Sequence, residues 1–232
     1  MSGKVVQFKQ IGTVTFSKNR RSKNIKISVK PDKSVLVSFP FYCTMIEVRA
    51  FVHKNQAWIL HQQQKVDLKK NTFNLNSKVE TKLHSVEFNL GNTFNVETKK
   101  TTVLITVLDF NSDKSQNYIE EIITQIYRFE AKKLLPSQLS YLAEKEGFEY
   151  QKVTIRNNKR NWGSCSSKNN ISLNLQMMKL PDKLIDYILL HELVHTKIKN
   201  HGSKFWEKLN EITNNKAREL AKQVKQYSTY SI

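Results

Sequence analysis

His191, Glu192 and His195 stand in the order His-Glu-Leu-Val-His. On a helix, positions i and i+4 lie about one turn apart, so both imidazoles leave one face and can reach one cation. Neutral imidazole is a good ligand for Zn2+. A glutamate beside the first ligand is placed to take a proton from a water on that cation. With 6 His and 14 Glu in 232 residues, chance alone gives about 0.01 matches to this pattern. A hydrolytic zinc site also needs a third protein ligand and an open position for water. His201 follows His195 by six residues, which on a continuous helix leaves it about 120° off the shared face. The helix must therefore stop first, and Asn200-His201-Gly202 offers residues suited to a stop and a left-handed turn. Glu207 and Glu211, on the next helix, are the alternative third ligands.

The elements that must position these residues are also legible. Leu184, Ile185, Tyr187, Ile188, Leu189, Leu190, Leu193 and Val194 surround the motif almost completely. A helix apolar all round is a buried helix. Burying two His and a Glu in it is costly unless they are paired or hold a metal. Pro181-Asp182 opens this helix, a further one starts near His201–Ser203, and a last covers Lys216 to Gln226. Upstream, residues 111–232 begin with the stripe Ile119, Ile122, Ile123, Ile126 and Tyr127, broken or restarted at Pro136 and ended by Gly147. Val153–Ile155 and Ile171–Leu173 read as short strands.

Residues 1–110 read as a β-rich region with one helix. Ile25, Ile27 and Val29 alternate with polar residues, Pro31 to Ser34 is a turn, and Val35, Val37 and Phe39 alternate again, predicting a hairpin. Val86, Phe88 and Leu90 run into Gly91-Asn92, a two-residue hairpin turn leading to Phe94 and Val96; Val103, Ile105 and Val107 would complete a meander. Thr44 to Glu47 is a capping box opening a helix with Val48, Phe51, Val52, Trp58 and Ile59 on one face. The polar stretch Asn111–Asn117 is the expected boundary between an N-terminal region, 1–110, and a catalytic region, 111–232. The class is α+β, with a helical metal-binding region at the C-terminal end.

Lys and Arg number 38 against 20 Asp and Glu, a net charge of +18. Such a balance draws polyanions, nucleic acid or nucleotides among them, or is a solvated basic surface. The longest uncharged stretch, Ser34 to Ile46, is thirteen residues, short of the roughly 18 a membrane span needs. Met1 to Gln7 holds no apolar core of a secretory signal, so a cytoplasmic protein is expected. Cys43 and Cys165 are too few for a disulfide framework and read as reduced, mostly buried thiols.

Trp162-Gly163-Ser164-Cys165-Ser166, Ile171-Ser172-Leu173-Asn174, the His191–His195 motif and Asn200-His201-Gly202-Ser203-Lys204-Phe205-Trp206 follow one another in an order that resembles the YgjP-like metal-dependent hydrolase family. That family, also called the YgjP-like metallopeptidase domain, is grouped with the SprT and WLM zinc proteases. The resemblance implies a zincin-like fold, ligands at His191, His195 and His201, and a catalytic glutamate at Glu192. It also implies a substrate-aligning edge strand near Ile171–Asn174. Asn174 and Trp162 are the expected substrate contacts. The expected cofactor is Zn2+ or another divalent metal, and the expected reaction is peptide hydrolysis with Glu192 as general base. Two other readings stand beside it: a metal-dependent nucleotide pyrophosphatase, since YgjP-like proteins have been linked to that activity, and a nucleic-acid-associated protein docking through its basic surface.

Overall fold

A computed structural model describes residues 4–30, 32–68 and 72–229; Met1–Gly3 and Pro31 of the expected turn lie outside them. The chain divides into two compact units, Met1–Asn71 and Thr72–Ile232. The expected boundary at Asn111–Asn117 falls inside the second unit, because the strands before it and the helix after it share one core.

In the first unit, β1 (Lys4–Phe8), β2 (Gly12–Lys18), β3 (Lys26–Val29) and β4 (Val35–Phe39) form a sheet of order β1-β2-β4-β3. The hairpin expected between Asn24 and Phe39 is β3 against β4, antiparallel with Ser28 opposite Leu36. β2 and β4 run parallel, with Val14 opposite Val35 and Phe16 opposite Val37. Alternation sends Val14, Phe16, Val35, Val37 and Phe39 into a buried core. Thr44 and Glu47 make the predicted capping box at the start of α1 (Met45–Lys54). Two helices follow in place of the expected one. Asn55 ends α1, its side-chain amide donating to the Phe51 carbonyl at 2.8 Å, and α2 (Gln56–Leu68) restarts the chain. Val48, Val52 and Ile59 are buried, whereas Trp58 is 47% exposed and off the stripe.

The second unit opens with β5 (Val79–Glu80), β6 (Ser85–Leu90), β7 (Asn95–Lys99) and β8 (Thr102–Val107), order β5-β6-β8-β7. This repeats the first sheet. β6 and β8 are parallel, with Val86 opposite Val103 and Phe88 opposite Ile105. The predicted β6–β7 hairpin is therefore not made, since β8 lies between them. Gly91 continues the pairing instead of turning: its N–H donates to the Val107 carbonyl at 3.0 Å. A Cβ there would stand 2.6 Å from Thr106 Cγ2. Gly91 is thus a close-approach glycine rather than a turn glycine.

Ser112 caps α3 (Asp113–Glu146), one 34-residue helix that Pro136 does not interrupt. The carbonyl deprived of its partner belongs to Lys132, an exposed residue. Ser137 Oγ donates to Leu134 O at 2.9 Å in the same turn. Gly147 ends the helix in the left-handed region, φ 67°, as expected. Then come β9 (Lys152–Arg156), β10 (Gly163–Cys165) and β11 (Asn170–Asn174), order β10-β11-β9. A 3-10 turn over Leu175–Lys179 leads to α4 (Asp182–Lys197), α5 (Ser203–Ile212) and α6 (Ala217–Val224). The architecture is α+β, and no helix of the described residues is long and apolar enough to cross a membrane.

Candidate metal centre

The motif lies on the last turns of α4, a helix buried on nearly every side. His191 and His195 project from one face with ring centroids 4.9 Å apart. The helix stops at Ile198, which is extended (φ −124°, ψ 102°). The stop therefore lies earlier than Asn200, and it needs no left-handed residue: Gly202 is extended as well (φ −75°, ψ −172°). The break swings His201 back over the motif. His201 Nε2 is 3.1 Å from His195 Nε2 and 3.1 Å from His191 Nε2. Two nitrogens on one tetrahedral zinc lie about 3.3 Å apart at ordinary bond lengths, so the three rings match one coordination sphere. Of the alternative ligands, Glu211 pairs with Lys208 at 2.8 Å, and neither it nor Glu207 belongs to this cluster.

Two features hold the rings. His195 Nδ1 is 3.1 Å from the Ile198 carbonyl. With Nδ1 donating there, Nε2 is left as an acceptor facing the cluster. Beneath all three rings lies Phe205 of α5, fully buried. Its centroid is 4.9, 4.6 and 4.7 Å from those of His191, His195 and His201. Burial, with the neighbouring His195 and His201, drives His191 down to about 3. Burial lowers His195 too. Both rings are neutral near pH 7, the form that binds metal.

Glu192 is 5% exposed, and its Oε2 has no hydrogen-bond partner. Burial pushes its carboxyl up to about 8. An orphaned carboxyl oxygen beside three convergent imidazoles fits a site whose charge is completed by a cation and its water. The seat for this side chain is Gly163, first residue of β10. A Cβ at Gly163 would lie 2.7 Å from both Cγ and Oε1 of Glu192.

A cleft of about 460 Å³ opens onto the centre, with Trp162, Gly163, Tyr187, His191, Glu192 and His201 in its walls. Trp206 and helix α6 close one side. Arg218 stacks on Trp206, its Cζ 3.7 Å from the ring centroid. Burial pushes the Tyr187 hydroxyl up to about 12, with Arg218 pulling the other way. Trp162 lines the cleft as expected of a substrate contact; Asn174 does not. Asn174 is 1% exposed. Its Nδ2 donates to Asn158 O (2.6 Å) and Asn161 O (2.9 Å), and its Oδ1 accepts from Gln176 N (3.1 Å). It holds the loop that carries Trp162. The edge strand nearest the motif is β10 rather than Ile171–Asn174, since β11 is the central strand of its sheet.

Asp186 accepts from Gln138 Nε2 at 2.9 Å. Cys43 and Cys165 are free and half-buried rather than buried. Cys165 sits 3.9 Å from Lys199 Nζ, and burial raises its thiol. His84 is engaged with buried Glu130, at 2.7 Å. Gly163 and Phe205 both stand in the motif runs, but their parts as seat and floor have no signature in one sequence; a small residue opening a strand and an apolar one four places past His201 are the only traces.

A family model for the YgjP-like metallopeptidase domain matches residues 23–227. Among solved structures, the metallopeptidase zymogen abylysin of Pyrococcus abyssi is 24% identical, with 40% of this chain and 93% of that chain covered and a TM-score of 0.37. The zymogen jannalysin of Methanocaldococcus jannaschii is 28% identical, covering 40% and 94%, with a TM-score of 0.36. A Wss1 mutant from Saccharomyces cerevisiae is 18% identical, covering 61% and 96%, at 0.30. No curated protein matches the sequence.

Proposed function

Since this chain belongs to the YgjP-like metallopeptidase family, we propose that it is a zinc-dependent peptidase of zincin-like fold, with His191, His195 and His201 as ligands and Glu192 as general base. One observation carries the reading: three ring nitrogens converge within 4.8 Å of one another, beside a buried carboxyl oxygen that lacks a partner. The three histidines would hold the Zn2+, which when bound would supply Lewis acidity for activating water and polarising a carbonyl. Glu192 would accept a proton on Oε2 from the attacking water and pass it to the leaving nitrogen. Phe205 excludes water from below the rings, and the Ile198 carbonyl fixes the His195 tautomer. Trp162 and β10 flank the substrate.

The test is Glu192→Gln beside His191→Ala. Glu192→Gln is expected to keep one zinc per chain and lose peptide cleavage by 10²-fold or more, about the scale of general-base catalysis. His191→Ala is expected to lose the zinc. Cleavage retained in Glu192→Gln would remove it from the mechanism. The nucleotide pyrophosphatase reading uses the same metal chemistry, and nucleotide against casein cleavage with Zn2+ or Mg2+ separates the two.

The first unit favours a second, additional reading: docking on single-stranded nucleic acid. Residues 1–71 hold 14 Lys and Arg against 3 Asp and Glu. Phe41, 61% exposed, has Lys18 Nζ 5.0 Å and Arg20 Cζ 5.7 Å from its ring. An aromatic face among cations suits a base and its phosphates. Binding of a labelled oligonucleotide should fall steeply between 50 and 200 mM salt on the order expected for several phosphate contacts; a salt-independent signal, or none, rejects it.

A further inference from the structure

Helix α6 turns one stripe of its surface to the cleft. Arg218, Ala221, Lys222 and Lys225 follow the spacing i, i+3, i+4, i+7, and all four line the cleft together with His191 and His201. Arg218 is the best placed. Its guanidinium lies 3.7 Å over Trp206, whose ring is 6.5 Å from that of His201. Stacking uses the face of the guanidinium and leaves its N–H edge for an anion. Among the described residues, no carboxylate forms an ion pair with Arg218, Lys222 or Lys225. Glu219, on the same helix, accepts from Gln223 and is not part of the cleft wall. The only acid among the described residues of the lining is Glu192, which the mechanism uses for proton transfer. Among the described residues, the α6 side of the cleft therefore carries three cations and no fixed counter-charge.

Resting on the peptidase reading above, we propose that the substrate is a peptide bearing a carboxylate close to the bond that is cut, and that Arg218, with Lys222 and Lys225, forms the subsite that receives it. A stacked guanidinium is pre-organised for a two-pronged carboxylate contact. The two lysines add charge that raises the local concentration of acidic peptides. An Asp or Glu side chain and a chain-terminal carboxylate share this chemistry.

Four quenched fluorescent peptides of one backbone, cut by the full chain loaded with Zn2+, test the proposal. One carries Glu beside the scissile bond and an amidated end. One is neutral with a free carboxyl end close to that bond. One is neutral and amidated, and one carries Lys. The expected result is a kcat/KM about 10- to 100-fold higher for at least one carboxylate peptide than for the neutral amide, an advantage that shrinks as salt rises. Whichever carboxylate peptide wins identifies the source. Arg218→Ala should shrink that ratio about 10-fold, chiefly through KM. Lys222→Glu combined with Lys225→Glu, one exposed on α6 and the other exposed at its C-terminal cap, should move the preference towards the Lys peptide even if Arg218→Ala fails to fold. Binding of the same peptides to Glu192→Gln, followed by anisotropy, should rank them in the same order. Equal kcat/KM for all four peptides in the wild type overturns the subsite while leaving the peptidase reading intact. So does an unchanged preference in the double variant. If the zinc-loaded wild type cuts no peptide but cleaves nucleoside triphosphates, the peptidase reading itself falls and the carboxylate subsite with it.

Discussion

Replacing Gly163 by Ala should separate activity from stability. The added Cβ would stand 2.7 Å from Glu192 Cγ and Oε1 and 2.9 Å from Cδ, where ordinary contact begins at 3.4 Å. The carboxyl must therefore retreat by about 0.7 Å, and misplacement on the order of 1 Å at a reacting group costs roughly 10²-fold in rate. That is about 2.7 kcal/mol in the activation barrier. The groups that yield are the far end of one side chain, so the fold should survive with a small loss of stability. The ligands are untouched, so zinc content should stay at one per chain. Peptide turnover, zinc by mass spectrometry and thermal melting on one preparation read all three. Gly202→Ala is the control: it neighbours His201, yet a Cβ there meets nothing within 4 Å. Full activity in Gly163→Ala, or an equal loss in Gly202→Ala, would refute the claim that Gly163 seats the carboxyl.

Two further outcomes follow from the same centre. In metal-free protein, Glu192 is raised from 4.5 to about 8, so its stabilising proton is fully bound below pH 4.5 and lost as pH rises through about 8. His191 is lowered from 6.5 to about 3, so its contribution is present above pH 6.5 and lost as pH falls through about 3. The two oppose each other between 4.5 and 6.5. From 6.5 to 8 the Glu192 effect remains, with a slope approaching about 1.4 kcal/mol per pH unit. Urea denaturation of metal-free wild type should weaken across that window relative to Glu192→Gln; parallel curves would contradict the burial argument. Phe205→Ala empties the floor under three imidazoles. It should cost about 3–5 kcal/mol and weaken zinc retention against a chelator, whereas Phe205→Leu should keep most of both. Zinc retention unaltered in the Ala variant would show that the rings need no floor.

The three-histidine cluster was readable because metal chemistry demands that spacing. Two histidines one turn apart face one way on any helix, and a third six residues on can join them only if the helix ends. What was not readable is where it ends. Ile198, a residue with no breaker signature, takes the extended conformation, while the Asn-His-Gly run beyond it needs no left-handed turn. Strand positions followed from alternation, but strand order did not. Gly91-Asn92 has the composition of a hairpin turn, and only the insertion of β8 beside β6 reveals that Gly91 is there for Thr106. Pro136 misled for a related reason, since an exposed carbonyl can turn to water and lose little. Asn174 was expected among the substrate contacts; its amide is instead taken up by four backbone groups, the N–H and carbonyl of Asn158, the Asn161 carbonyl and the Gln176 N–H.

The two matching sheets each close over their own set of buried side chains. Val14, Phe16, Val35 and Val37 do so in one, and Val86, Phe88, Val103 and Ile105 in the other. Among the described residues, the two clusters have no buried member in common. Cooperativity in unfolding comes from a shared interior. A calorimeter should therefore record two endotherms, and zinc should shift only the one belonging to the histidine-bearing segment. No single melting temperature then describes this polypeptide.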